Sequence, residues 1–348
     1  MTKPRLVDVH SHIYPRSYVD LLAARQEIPR VAEHQGHEYF VIFEEEQAAG
    51  PGGGRPFDQT YWDLNEKLKF MDANGIDQTV VSLGNPWLDP FDGPESLDLA
   101  RGLNEEMATY QAATDGRVIG MGVLPANDVA SAALVAVEVA DAPGLRGLVV
   151  GQKIAGHRLD DAALEPIWET LAEREVPVLL HPHYSAAADQ LKGFGHALPV
   201  AVGFPFETTI ALARFVLAGT LYRHPNLRVI ASHGGGTLPY LAGRLDSAWR
   251  SDPSVQDRLP YPPSRDLARL LLDSILFHER ALHAAADLVG VSQMLYGTDH
   301  PFSIADPATN LAALIGAFPE AEVARVGSAN AAAVFDLAPD RTTESPRQ

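Results

Sequence analysis

The sequence predicts an α/β protein with the architecture of a distorted (β/α)8 TIM barrel. Two observations carry this prediction: short apolar runs alternate with longer segments of helical period along nearly the whole chain, and eight such runs are present. Strands and helices in alternation build a parallel sheet covered by helices, and eight strands favour a closed barrel over an open doubly wound sheet. The predicted strands are residues 6–12, 77–83, 118–124, 145–150, 177–181, 227–233, 270–277 and 293–299.

The segments between these strands have apolar residues three and four positions apart, which is the spacing of one face of a helix. Gly75 follows the first of these segments, and glycine commonly ends helices. The predicted helices are residues 61–74, 129–141, 162–174, 208–221 and 307–317.

Residues 23–60 do not fit this alternation. The segment has weak periodicity, contains three glutamates at 44–46 and a Pro-Gly-Gly-Gly-Arg-Pro run at 51–56, and lies where the first strand-to-helix loop would be. Because long loops at that face of a barrel are usually functional, we expect a lid over the barrel mouth; a disordered surface insertion is the alternative. The chain is therefore predicted to form a single domain over residues 1–339, with the lid insertion at 23–60 and a flexible tail at 340–348.

The composition argues against several classes of protein. The 348 residues include 45 acidic and 27 basic side chains, a net charge of −18, and no run of lysine or arginine, so nucleic-acid binding is not expected. The chain has no cysteine, so any metal must be held by histidine and carboxylate. No secretory signal is visible, and the most apolar stretch, 196–222, is interrupted by prolines and charges, so we expect a cytoplasmic protein without a membrane span.

Imidazole and carboxylate groups stand at the ends of several predicted strands. His10 and His12 are two residues apart and therefore face the same side of the first strand, while His181, His233 and Asp299 end three others. At the carboxyl rim of a barrel such side chains meet in one place. Each histidine alone would more often be a core residue and Asp299 a helix cap. Together they would be costly to bury unless a cation paired with them, and three imidazoles with one carboxylate suit Zn²⁺, with Mn²⁺ or Fe²⁺ also compatible.

Four motifs follow one another along the chain. They are Asp-Val-His-Ser-His at 8–12, His181-Pro182, His-Gly-Gly-Gly at 233–236 with Leu-Pro-Tyr-Leu-Ala-Gly-Arg ending at Arg244, and Gly-Thr-Asp-His-Pro-Phe at 297–302. In this order they resemble the amidohydrolase superfamily, and within it the branch typified by aminocarboxymuconate-semialdehyde decarboxylase, which also holds several aromatic-acid decarboxylases. The resemblance extends from residue 8 to residue 335.

The resemblance implies a ligand set and an activity. One divalent metal would be held by His10, His12, His181 and Asp299, and His233 would act as an acid or base beside it, with Asp299 as the other proton-relaying group. The implied reaction is the non-oxidative decarboxylation of a small aromatic or conjugated carboxylic acid. No lysine ends the fourth strand at 148–151, which favours a single metal ion.

Two positions depart from the pattern of this branch. His183 stands where an aromatic residue is common, and His300 stands where tyrosine is common. The substrate pocket is therefore expected to differ from that of other members.

A carboxylate substrate needs a cationic anchor, since an acidic protein offers no favourable background field. Arg244 is one candidate, because the resemblance suggests an arginine that reaches into the neighbouring subunit of a homodimer. Arg55, in the glycine-rich part of the lid, is the other; each could instead be an ordinary surface arginine. His183 and Trp87 are further candidates for the pocket, with loop capping and core packing as their respective alternatives.

Two other functions stay open at this point. The same metal site could serve a hydrolase or hydratase that acts on a lactone, an amide or an unsaturated acid, because neither the fold nor the metal ligands decide the reaction. A third possibility is that the barrel acts only as a binding or scaffold protein. The complete set of candidate metal ligands argues against it.

Overall fold

The computed structural model describes residues 4–183 and 185–337, and the predicted tail at 340–348 lies outside them. Eight parallel strands form one sheet whose spatial order follows the chain, which confirms the predicted barrel. The strands are β1 (Val7–Ile13), β2 (Gln78–Leu83), β3 (Val118–Gly122), β4 (Leu145–Val150), β5 (Pro177–Leu180), β6 (Arg228–Ala231), β7 (Leu271–Asp273) and β8 (Met294–Leu295).

The strands are recognisable in the sequence because both of their faces are buried, so they read as continuous apolar runs. In β5, Leu179 pairs with Val149 of β4 on one side and with Ile230 of β6 on the other. Strands β6, β7 and β8 end earlier than predicted. Their last predicted residues leave the sheet and turn into the rim of the barrel, which is where the candidate site lies.

The barrel closes at a seam between β1 and the chain after β8. One bridge joins Ser11 to His300, and the His12 amide donates to the His300 carbonyl over 2.7 Å. The Asp299 amide donates to the His10 carbonyl, also over 2.7 Å. This seam brings the histidines of the first motif next to the aspartate of the last.

Helices cover the outside of the sheet. Predicted helix 61–74 starts later because Asp63 caps it by accepting from the Asn65 amide. Predicted helix 208–221 begins earlier, at Phe204, and ends at Leu217, because Gly219, at φ 76°, breaks it before residue 221. The longer helices are Arg16–Ala23, Leu64–Asn74, Ser96–Ala108, Val129–Asp141, Glu165–Glu173, Phe204–Leu217, Leu238–Ser251, Glu279–Val289 and Pro307–Ala317. Shorter ones are Glu44–Ala48, Tyr110–Ala113, Thr220–Arg223, Ser232–Gly235, Pro253–Gln256, Ser264–Leu267, Glu320–Ala324 and Asn330–Phe335.

Residues Pro199–Leu217 form one helical stretch that is long and apolar enough to cross a membrane by length and composition. In this fold it packs on the barrel through Leu212, Phe215 and Val216. Arg214 on the same stretch pairs with Asp160 at 2.6 Å.

The insertion at 23–60 is folded. Strands Arg30–His34, His37–Val41 and Arg55–Pro56 form an antiparallel sheet, and the helix Glu44–Ala48 lies between the last two. Phe40 and Phe57 pack on Tyr14 with ring centroids 5.6 and 5.5 Å apart, which joins the insertion to the end of β1.

Two glycines on facing elements provide a test of this packing. A Cβ at Gly120 in β3 would lie 2.5 Å from the carbonyl oxygen of Met107 in the helix Ser96–Ala108, whereas a Cβ at Gly102 on that helix would meet nothing within 4 Å. We expect Gly120→Ala to lower the free energy of unfolding by about 1–3 kcal/mol through overpacking. We expect Gly102→Ala to raise it by roughly 0.5–1 kcal/mol, since alanine favours helix. Thermal unfolding of both variants checks this, and shifts of the same sign would contradict the packing.

Candidate active site

The carboxylate of Asp299 lies among four imidazoles at the carboxyl rim of the barrel. Its Oδ1 atom is 3.2 Å from Nε2 of His12, 3.4 Å from that of His10 and 3.9 Å from that of His181. Its Oδ2 atom is 3.4 Å from Nε2 of His233. The structure therefore brings together all five side chains that the strand ends singled out.

The backbone explains this convergence. His10 and His12 project from the same face of β1, and their rings lie 5.1 Å apart. His181 directly follows β5, and its ring is 4.6 Å from that of His12. The first strand thus delivers two of the ligand candidates and other parts of the rim deliver the rest, as the parallel strands of a barrel allow.

Two of the five residues have a left-handed backbone. His233 has φ 53° and Asp299 has φ 63°, a region that costs a non-glycine residue roughly 1–2 kcal/mol. After His233 the chain continues through three glycines, each with positive φ; a Cβ at Gly236 would lie 2.2 Å from the Pro205 carbonyl oxygen. The glycine run lets the backbone turn sharply beside the site.

Asp273, at the end of β7, supports two of these histidines and was not singled out in the sequence. Its Oδ2 atom accepts from Nδ1 of His10 at 2.7 Å and from the backbone amide of His233 at 2.8 Å, and its Oδ1 atom accepts from Gly234 N at 3.0 Å. A carboxylate on Nδ1 directs the other ring nitrogen of His10 toward Asp299. The signal was present, since Leu270–Leu272 is an apolar run that ends in Asp273.

A second support holds His12. Its Nδ1 atom lies 2.9 Å from the hydroxyl of Ser82 in β2, while its Nε2 atom faces Asp299. The orientation of both β1 imidazoles is therefore set by a partner behind the site.

The protonation states of Asp299, His12 and His181 suit metal ligands, whereas His10 would have to lose a proton when a cation binds. Burial raises the pKa of Asp299, but the surrounding imidazoles hold it well below its usual value, so the carboxylate is charged. Burial lowers the pKa of His12 to about 4 and that of His181 well below its usual value, so both are neutral. Burial also lowers the pKa of His10, but the Asp273 and Asp299 carboxylates outweigh it and raise it to about 10.

Several nitrogens at this site are buried without a hydrogen-bond partner among the described residues. They are Nε2 of His10, both ring nitrogens of His181 and Nδ1 of His233. Ligand atoms of His10, His181, His233 and Asp299 all lie within 4.8 Å of one another. Unpartnered buried nitrogens around a charged carboxylate are costly unless a cation meets them, so this donor set fits one divalent metal.

Arg55 lines a small cavity beside the cluster, together with His181 and Asp299. Its Nε atom is 3.1 Å from Oε1 of Glu46, and its guanidinium lies over the rings of Phe40 and Phe43. Glu46 also accepts from the backbone amides of Ile42 and Phe43. Glu46 is therefore not a free surface charge, since its carboxylate holds Arg55 in place.

The cavity beside Asp299 has a volume of about 30 Å³, and a larger one of about 560 Å³ lies next to it. Ile42 and Phe43 of the insertion line both, so they form the wall between them. Asn85, His196 and Ser303 also line the inner cavity. Sequence reasoning missed these three because they lie in loops outside the recognised motifs.

Trp87 and His183 lie beside the cluster. The indole of Trp87 is buried, with its ring 6.1 Å from His181 and 5.5 Å from His183, and its Nε1 atom donates to the Leu83 carbonyl. His183 lines the larger cavity. Trp87 thus packs against the imidazoles, and His183 lies at the wall of the larger cavity.

Arg244 is not brought to this site within one chain. It is exposed on the helix Leu238–Ser251, one turn after Tyr240, whose exposure is 88%. Any contact of Arg244 with a substrate would have to be made across an interface.

Comparisons with known proteins agree with this arrangement. The amidohydrolase family matches residues 7–337. The 2-amino-3-carboxymuconate-6-semialdehyde decarboxylase of Dictyostelium discoideum is 28% identical over 86% of this chain and 82% of its own. The apo crystal structure of Metarhizium anisopliae IDCase is 33% identical, with a TM-score of 0.89 over 96% of this chain and 98% of that one.

A more distant structure shares the fold. The dihydroxybenzoic acid decarboxylase of a Polaromonas species, solved with manganese and the inhibitor 2-nitroresorcinol, is 20% identical, with a TM-score of 0.77 over 99% of this chain and 100% of that one.

Asp273→Asn tests the support of the cluster. The amide keeps the shape of the side chain but removes the charge that holds His10 and faces three backbone amides, so we expect the affinity for Mn²⁺ to fall about 10–100-fold. Metal titration of the purified protein measures this. Asp266→Asn is the matched control, because Asp266 is equally buried but pairs with Arg269 instead of a cluster histidine. Equal affinities in the two variants would contradict the assigned role of Asp273.

Proposed function

Because this chain belongs to the amidohydrolase family, we propose that it is a metal-dependent, non-oxidative decarboxylase of a small aromatic or conjugated carboxylic acid. The observation that carries the proposal is the charged Asp299 among four imidazoles, with the guanidinium of Arg55 lining the same cavity. The decarboxylase names of the Dictyostelium and Polaromonas proteins support it.

In this proposal the metal would be held by His10, His12, His181 and Asp299. His12 takes the place of His233 in the ligand set because its Nε2 atom, with those of His10 and His181, faces Oδ1 of Asp299, whereas His233 faces Oδ2. Nitrogen ligands with one carboxylate suit Zn²⁺, our first choice, and also Mn²⁺, the ion in the Polaromonas structure, or Fe²⁺. When bound, the ion supplies Lewis-acid polarisation of the substrate. His233, whose ring is the most exposed of the four at 13%, is left for proton transfer.

Arg55 is the proposed anchor for the substrate. Its guanidinium suits a carboxylate or phenolate oxygen, and the pairing with Glu46 fixes its direction. Phe204 and Phe302 line the same cavity and suit an aromatic or conjugated carbon skeleton. The cavity thus combines one cation with apolar walls, which fits a small unsaturated acid.

The reaction breaks the bond between the carboxylate carbon and the rest of the substrate. CO₂ leaves, and the electron pair that stays on the substrate carbon takes up one proton, so the product is the acid with hydrogen in place of its carboxylate. We assign His233 to hold and deliver that proton and Asp299 to orient it, because Nε2 of His233 lies 3.4 Å from Oδ2 of Asp299.

We propose that the insertion at 23–60 acts as the lid of this site. The inner cavity of about 30 Å³ is far smaller than an ordinary ligand pocket of roughly 300–1,000 Å³, so a ring-sized substrate cannot enter while Ile42 and Phe43 separate it from the outer cavity. Moving that wall toward the larger outer cavity would admit the substrate, and its return would exclude water.

We further propose that the enzyme works as a homodimer. Tyr240 is exposed beside Arg244, and Phe206 and Ile210 are exposed on the preceding long helix, Phe204–Leu217. An exposed aromatic and aliphatic face with an arginine in it is the composition of an interface core. In such a dimer Arg244 would reach the substrate of the neighbouring subunit.

The assay for this function measures the product. With a panel of hydroxybenzoates and conjugated acids, we expect CO₂ to appear in a one-to-one ratio with substrate loss. Removal of the metal by a chelator should abolish the release, and Zn²⁺ or Mn²⁺ should restore it. Substrate loss without CO₂, with a gain of water in the product mass, would contradict decarboxylation and favour a hydrolase or hydratase.

Mixed dimers test the role of Arg244. Arg244→Ala and His12→Ala proteins should each be inactive, and a hybrid should regain activity because one of its sites has both an intact metal cluster and the partner's arginine. Arg250→Ala, also exposed on the same helix, is the control and should stay active. Verified hybrids without any activity would contradict the cross-subunit contact.

A further inference from the structure

Lys67 is a wholly buried lysine behind the metal cluster that no motif singled out. We propose that Lys67 is a positioning residue: its ammonium group ties β1 to the chain after β8 and thereby sets the distance between His12 and Asp299. The inference rests on the metal site of the proposed function and adds a residue to it. Lys67 belongs to the helix Leu64–Asn74, which packs against the end of the barrel where the seam lies.

The ammonium group has an acceptor for each of its three hydrogens. Nζ donates to the Ser11 hydroxyl at 2.8 Å, to the His12 carbonyl at 2.9 Å and to Nδ1 of His300 at 2.6 Å. A buried ammonium group is costly unless it is fully paired, and here three donors meet three acceptors. As an ammonium group Lys67 only donates, so in that form Nδ1 of His300 accepts and the ring proton of His300 lies on Nε2.

These acceptors lie on both sides of the barrel seam. Ser11 and His12 belong to β1, and His300 follows Asp299 on the other side, where Ser11 and His300 form the bridge. Each acceptor is therefore a metal-ligand candidate or its immediate neighbour. A shift between the two sides would change the separation of Nε2 of His12 and Oδ1 of Asp299, which is 3.2 Å.

The same helix holds His300 by a second contact. The ring of Phe70 stacks on that of His300, with centroids 3.6 Å apart and planes inclined by 23°. Lys67 and Phe70 are three residues apart and so share one face of the helix. This restraint matters because Asp299 has a left-handed backbone, which persists only when its surroundings fix it.

The test measures binding of Co²⁺ in the absence of substrate. Lys67→Met keeps the stem of the side chain and removes the ammonium group, so we expect the dissociation constant to rise about 10–100-fold and the visible spectrum of bound Co²⁺ to change. Lys69→Met is the control, because Lys69 is exposed on the same helix and pairs only with Glu66 among the described residues. It should leave both readouts unchanged.

Two substitutions at His300 keep the test valid if Lys67→Met does not fold. His300→Asn retains an acceptor near the position of Nδ1 and should preserve the affinity and spectrum, whereas His300→Leu should behave as Lys67→Met is expected to. A purely structural role would not distinguish the two by their Co²⁺ spectra. Equal spectra and affinities for His300→Asn and His300→Leu, or wild-type values for a folded Lys67→Met, would overturn the inference.

These outcomes are separable from those of the decarboxylase proposal. A wild-type protein that shows the expected Co²⁺ pattern but releases no CO₂ from any acid would overturn the proposed activity and leave the role of Lys67 intact. CO₂ release with unchanged Co²⁺ binding in Lys67→Met and His300→Leu would overturn only the role of Lys67.

Discussion

The burial of a charged carboxylate among imidazoles is the constraint on which the rest of this site depends. Asp299 is nearly inaccessible to solvent, and burial alone would favour its neutral form. Its charge persists because the ring nitrogens of the histidines converge on it. The same arrangement leaves nitrogens without partners, which a divalent cation would satisfy.

The supports around this cluster come from behind the strands that carry it. Asp273 and Ser82 fix the rings of His10 and His12, so the direction of each imidazole depends on the neighbouring strands as well as on β1. The backbone of Asp299 is restrained through the barrel seam. The seam has one bridge and several backbone hydrogen bonds among the described residues, and the contacts of Lys67 with Ser11 and His300 add to its rigidity.

Much of the fold and part of the site could be predicted from the sequence. Strands buried on both faces give continuous apolar runs, so β4 and β5 were located to within one residue, and polar residues such as His181 at their ends indicated the rim. The structure of the insertion at 23–60 was harder to predict, because its strands are short and contacts such as that of Glu46 with Arg55 leave no periodic pattern in the sequence. The burial of Lys67 could not be predicted for another reason. A lysine on a helix normally indicates an exposed position, and only the three-dimensional structure shows which groups it contacts.

The central claim is that His10, His12, His181 and Asp299 hold one cation, and anomalous diffraction from crystals grown with Mn²⁺ tests it most directly. The account predicts a single strong peak at the barrel rim, about 2.0–2.3 Å from one nitrogen of each of the three histidines and from an oxygen of Asp299. A map without a peak among these four side chains, or with the ion bound elsewhere in the protein, would contradict it.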